Sequence, residues 1–207
     1  MSTNNEIEFK QILNRSTYEE IYHTYFKNKK TFTQTNYYID TNHFKLKQHH
    51  SALRIRVKDN HYEMTLKVPE DAGLTEYNHI VDIEPQLNMS IKLSQLPSDI
   101  RKIVKNEFNV FNDELVILGH LTTHRLETPH QNELLVLDKS QYLGKTDYEL
   151  EYEVRSHDEG YVKFNRLLEE FNLEHKKPLN KVQRFFEEKN ASNKEVDFSK
   201  KANYFQM

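Results

Sequence analysis

Residues 6–11 run Glu6-Ile7-Glu8-Phe9-Lys10-Gln11, and residues 148–153 run Tyr148-Glu149-Leu150-Glu151-Tyr152-Glu153. Both alternate charged and apolar side chains with a period of two, the pattern of a β-strand with one buried and one polar face. Two intervening segments alternate in the same way with basic residues. In Ala52-Leu53-Arg54-Ile55-Arg56-Val57-Lys58 the arginines share a face, and in Glu63-Met64-Thr65-Leu66-Lys67-Val68 Thr65 and Lys67 oppose three apolar residues. A solvated sheet face is the ordinary account of any one such strand. Here acids gather on the two outer strands and bases on the two middle ones. Like charges two residues apart on one face repel unless something lies between them. A divalent cation between the carboxylates and a polyanion between the bases would relieve both conflicts.

Working outward, the remaining segments supply more strands and a few covering helices. Residues 33–41, 52–58, 61–68 and 76–83 read as a meander, and 116–128, 133–138 and 148–155 as later strands. Ser16-Thr17-Tyr18-Glu19 reads as a capping box, followed at helical spacing by Tyr18, Ile21, Tyr22, Tyr25 and Phe26. Pro97-Ser98-Asp99 opens a second helix with Ile100, Ile103, Val104 and Phe108 on one stripe. A third is expected over 158–172 and a short last one over 180–188, carrying Val182, Phe185 and Phe186. Roughly eight strands without βαβ alternation predict an α+β fold with a mostly antiparallel sheet or barrel. Were the strands closed into a barrel with the charged faces inward, the lumen would be polar and wide enough for an elongated ligand.

Composition narrows the chemistry. The 207 residues suffice for one domain with a proper core. Cysteine is absent, which excludes disulfides, thiolate zinc sites and cysteine nucleophiles. The four glycines, Gly73, Gly119, Gly144 and Gly160, leave no GxxxxGK[ST] or GxGxxG loop, so any phosphate must be held by side chains. A net charge of −3, no long apolar run and no basic or apolar leader at the start predict a cytoplasmic protein without nucleic-acid or membrane partners. Residues 1–189 are expected to form the domain and 190–207 a polar, mobile tail. The eleven histidines, including His49-His50 and His120-x-x-x-His124, are accounted for as ordinary surface residues.

Two Glu-x-Glu pairs supply oxygen ligands suited to Mg²⁺ or Mn²⁺, while arginine suits bidentate contact with phosphate and lysine acts as a point charge. Glu6-Ile7-Glu8-Phe9-Lys10 resembles the ExExK signature of the CYTH family, the triphosphate tunnel metalloenzymes. Tyr37-Tyr38-Ile39-Asp40-Thr41, Ala52-Leu53-Arg54-Ile55-Arg56, Thr65-Leu66-Lys67 and Tyr148-Glu149-Leu150-Glu151-Tyr152-Glu153 follow in that family's order. The resemblance covers about residues 5–188, and within the family it is nearest the YjbK-type proteins of Gram-positive bacteria.

The resemblance implies an eight-stranded antiparallel β-barrel, a tunnel with flanking helices, that hydrolyses the terminal phosphoanhydride of a small-molecule triphosphate or polyphosphate with Mg²⁺ or Mn²⁺. It implies that Glu6 and Glu8 hold metal from one wall and Glu149 and Glu151 from the other. Lys10, Arg54, Arg56, Lys67, Arg125 and Lys181 match its phosphate-binding bases, and Glu76 and Asp138 match acidic lining positions. Glu6, Glu8, Lys10, Arg56 and Arg125 would carry the chemistry, in a monomer or homodimer. A class IV-type adenylyl cyclase and a non-catalytic polyphosphate- or nucleotide-binding module are the alternatives. A carrier of apolar ligands is disfavoured by the charge on four strands.

Overall fold

In the computed structural model, which describes residues 7–70, 73–111 and 114–191, the alternating segments are strands of one antiparallel sheet. The strands are β1 (Ile7–Leu13), β2 (Phe32–Thr41), β3 (Ala52–Lys58), β4 (His61–Glu70), β5 (Gly73–Ile80), β6 (Ser90–Ile91), β7 (Leu115–His130), β8 (Glu133–Tyr142) and β9 (Lys145–Val154). The helices are α1 (Arg15–Ile21), α2 (Lys45–Gln48), α3 (Ser98–Asn106), α4 (His157–Glu169) and α5 (181–191). Strand order is β1-β9-β8-β7-β2-β3-β4-β5, with β6 beside β7.

Three hairpins are closed by two residues in the left-handed region: Asp59-Asn60, Gln131-Asn132 and Leu143-Gly144. Such paired positive φ values match the twist of antiparallel strands and pin their register. The register then assigns the faces. Lys10 lies opposite Glu151, Glu149 opposite Asp138, Asp138 opposite Arg125, Asn36 opposite Arg56, Arg54 opposite Thr65 and Lys67 opposite Glu76. All of these share one polar face. The other face is apolar and is covered in two places. One core joins Phe9, Leu137, Leu150 and Tyr152 to Phe164 and Leu168 of α4, and a second joins Ile39, Leu53, Ile55 and Leu66 to Ile100 and Val104 of α3.

The sheet is not a closed barrel. β1 and β5 stand at opposite ends of the strand order and are not paired with each other. Alternation assigns side chains to faces, but closure depends on the tilt and stagger accumulated over every strand, which no single segment encodes. Other expectations shift locally. Asn14, not Ser16, caps α1, its side chain accepting from the Thr17 N–H at 2.9 Å. β5 starts and stops three residues earlier than the expected 76–83, and α2 and β6 were unanticipated. Residues 190 and 191 belong to α5, and the rest of the expected tail lies outside the described residues.

α5 does not join either core on the apolar face. It lies on the polar face, where Phe185 packs with Tyr38, Leu121 and Tyr142. Gly119 permits this approach, since a Cβ at that position would come within 2.3 Å of Phe185 Cζ.

Candidate active site

At the β1-β9-β8-β7 end of the polar face, three carboxylates converge. Asp138, Glu149 and Glu151 are buried, and one oxygen from each lies within 4.8 Å of the others. Isolated buried carboxylates would be prohibitively unstable, and four cations surround them. The Lys181 ammonium, reaching down from α5, contacts Asp138 Oδ2 at 2.8 Å, Glu151 Oε1 at 2.5 Å and Glu149 Oε1. Arg125 donates through Nε to Asp138 Oδ1 at 2.8 Å, and through Nη2 to Asp138 Oδ2 and Glu151 Oε2 at 2.7 Å each. Arg184 donates through Nη1 to Glu149 Oε2 at 2.7 Å and through Nε to Asp147 Oδ2 at 2.9 Å. Lys10 lies 2.7 Å from Glu8 Oε1 and 3.8 Å from Glu151 Oε1.

The charges follow from this packing. Burial favours the protonated form of Glu151, but Lys181, Arg125 and Lys10 outweigh it and hold the carboxyl well below the usual range. Burial pushes Glu149 up, and the neighbouring Glu151 adds to the rise. Burial works against the charges of Lys181 and Arg125, yet Glu151 and Asp138 raise both.

The β3 end of the face is the reverse. Among the described residues, Arg54 and Arg56 have no carboxylate within ion-pair distance; Arg56 Nε donates to Asn36 Oδ1 at 3.1 Å. Arg54 Nε and Thr65 Oγ1, on residues opposite each other in the β3–β4 register, are buried without hydrogen-bond partners. Burial, then the guanidiniums of Arg54 and Arg125, push Arg56 down to about 10, so it remains protonated at neutral pH but poorly compensated. Burial likewise pushes Tyr38 up, while Arg54, Lys181, Arg56 and Arg184 pull it down, which places its hydroxyl between the two charge groups. Such a basic locus beside anchored carboxylates is suited to an extended polyanion.

The structure thus brings Lys10, Arg125, Asp138, Glu149, Glu151 and Lys181 together, with Arg54 and Arg56 adjoining. Lys67 is engaged by Glu76. Glu8 is exposed and stands opposite Glu153, outside the carboxylate cluster; Glu6 lies outside the described residues. Arg184, Asp147 and Asn36 had escaped the sequence reading, and Tyr38 had entered it only within a motif. Arg184 was the findable one, because it follows Lys181 by three residues on a helix and so shares its face. His124 faces away from the site, with Nδ1 3.0 Å from Thr33 Oγ1, and His120 contacts the Tyr37 ring. The donor set of Asp138, Glu149 and Glu151 is all carboxylate oxygen, which fits a hard divalent metal ion.

Comparison with known proteins places the chain among relatives of one family. The family model described as the CYTH domain matches residues 4–186. YjbK of Bacillus subtilis (strain 168), provisionally named a triphosphatase, is 37% identical over 194 residues, covering 93% of this chain and all of that protein. A crystal structure from Bacillus halodurans, of a protein provisionally named an adenylate cyclase, is 30% identical with a TM-score of 0.70, over 90% of this chain and 100% of that one. HpAC1 from Hippeastrum, provisionally an adenylyl cyclase and described as revealing a dominant triphosphatase activity, shares the fold at 23% identity and a TM-score of 0.69. That match covers 88% of this chain and 96% of the other. Among the described residues no helix is long and apolar enough to cross a membrane.

Proposed function

The chain belongs to the CYTH domain family, and from that premise we propose that it is a divalent-metal-dependent triphosphatase, cleaving the terminal phosphoanhydride of inorganic triphosphate or of a nucleoside or other organic triphosphate. The observation that carries the reading is the pairing of two adjoining arginines, neither within ion-pair distance of a described carboxylate, with a buried carboxylate cluster on one sheet face.

In this reading Mg²⁺ or Mn²⁺ would be held by Glu149 and Glu151 with Asp138, and by Glu8 of β1, with Glu6, which lies outside the described residues, keeping the role the resemblance implies. When bound, such an ion neutralises phosphate charge and acts as a Lewis acid. Arg54 and Arg56 bind and orient the phosphate chain, and the buried Arg54 Nε and Thr65 Oγ1 acquire partners from its oxygens. Arg125, whose Nε and Nη2 are committed to carboxylates, offers Nη1 to the transferred phosphoryl group. These preset positive groups oppose charge that grows in the transition state. Lys10 and Lys67 act as point charges along the chain, and Lys181 adds a third from α5.

Phosphate release followed by ³¹P NMR, across inorganic triphosphate, nucleoside triphosphates, thiamine triphosphate and longer polyphosphate, tests this with Mg²⁺ and with Mn²⁺. Orthophosphate as the product supports hydrolysis. Pyrophosphate with a cyclic nucleotide would mean cyclase chemistry, and tight binding without turnover would mean a binding module.

A further inference from the structure

An ammonium carries three protons, and those of Lys181 are taken by Asp138, Glu149 and Glu151. In this arrangement the side chain has no donor left for a phosphate. Its nitrogen also sits against one oxygen of each of the three carboxylates that together could hold a divalent ion. The two cations therefore claim one place.

We propose that Lys181 is a tethered cation that fills the Asp138, Glu149 and Glu151 cluster in the metal-free chain and is displaced when a divalent ion enters, freeing its ammonium for the phosphate chain. The inference rests on the metal-binding part of the reading above. Three features make the exchange feasible. Lys181 is the first residue of α5 and follows the irregular segment 173–180, so its side chain can move without moving the sheet. The helix is retained by other contacts, notably Phe185 against Gly119 and Tyr38, and Lys189 Nζ donating to the Leu118 carbonyl at 2.6 Å. Arg184 holds the second oxygen of Glu149 together with Asp147, and Arg125 holds Asp138 and Glu151. The carboxylates therefore stay oriented when the ammonium leaves. Metal and phosphate binding become coupled, because the ion that enters also releases a phosphate ligand.

The test uses the full chain stripped of metal. Calorimetric titration with MnCl₂ should show Lys181→Met binding Mn²⁺ about tenfold more tightly than the wild type. Equal or weaker binding by a folded Lys181→Met overturns the proposal, as does a lack of Mn²⁺ binding by both proteins. Removing a buried cation can unfold a protein, so a second measurement uses the wild type alone. Acetic anhydride labelling read by mass spectrometry should find Lys181 protected without metal and at least about fivefold more reactive with MnCl₂. Unchanged labelling at Lys181 overturns the proposal whatever the variant does. Both readouts are made without substrate. Absence of phosphate release with this coupling intact would remove the hydrolase reading alone.

Discussion

Arg125 on β7 and Asp138 on β8 are register partners joined by two parallel hydrogen bonds, Nε to Oδ1 at 2.8 Å and Nη2 to Oδ2 at 2.7 Å. Asp138 is fully buried, so this pair anchors the polar face to the sheet beneath it. Arg125→Ala should destabilise the protein by about 3–5 kcal/mol, the usual effect of leaving a buried charge without its partner. Arg125→Lys retains a charge but not the fork and should fall between the two. Urea denaturation of both variants, alone and combined with Asp138→Asn, checks this. Additive effects in the cycle would show that the pair is not coupled.

Arg54 presents the opposite case, since its Nε is buried without a hydrogen-bond partner and its charge repels that of Arg56. Arg54→Met should leave the melting temperature unchanged or raised, while KM for triphosphate rises at least about tenfold, the loss of one charge-assisted contact. A stability loss with KM intact would make Arg54 structural.

Glu8 is exposed and its recorded partner is Lys10. Glu8→Ala should therefore fold normally, as circular dichroism would show, yet lose metal-dependent turnover. Wild-type rates in the folded variant would remove the carboxylate from the mechanism.

Gly119 is the gap through which α5 meets the sheet. Gly119→Ala puts a methyl within 2.3 Å of the Phe185 ring, and should cost about 1–3 kcal/mol as an overpacked contact. Limited proteolysis should show cleavage within 181–191 appearing before the sheet is attacked. Equal protection of α5 in both proteins would contradict its dependence on this approach.

The Lys67 and Glu76 pair predicts acid sensitivity. Burial pushes the Glu76 carboxyl up, but Lys67 and then Arg54 leave it below its ordinary 4.5. The folded chain thus holds this proton less tightly than the unfolded one. The stabilisation is complete above the unfolded value and is lost as pH falls through the folded one. Glu76→Gln should be less stable than the wild type by roughly 1 kcal/mol near neutral pH, with the difference vanishing in acid. Denaturation at a series of pH values reads it directly, and a pH-independent difference would exclude the ion pair as its source.

Period-two alternation is a local property, so the amino-acid order alone settled that the four alternating segments are strands, which face of each is polar, and which sign of charge each carries. Glu149, Glu151, Arg54 and Arg56 were legible for that reason. Arg125 and Asp138 were less so, because they lie in longer strands of mixed polarity, and they came from family resemblance. The open sheet, the docking of α5 through Gly119 and Phe185, and the neutralisation of the acids by Lys181 and Arg184 were decided only in three dimensions. Each depends on which distant surfaces meet, and contacts between residues more than a hundred positions apart in the chain, such as Tyr38 with Phe185, leave no periodic trace in either segment.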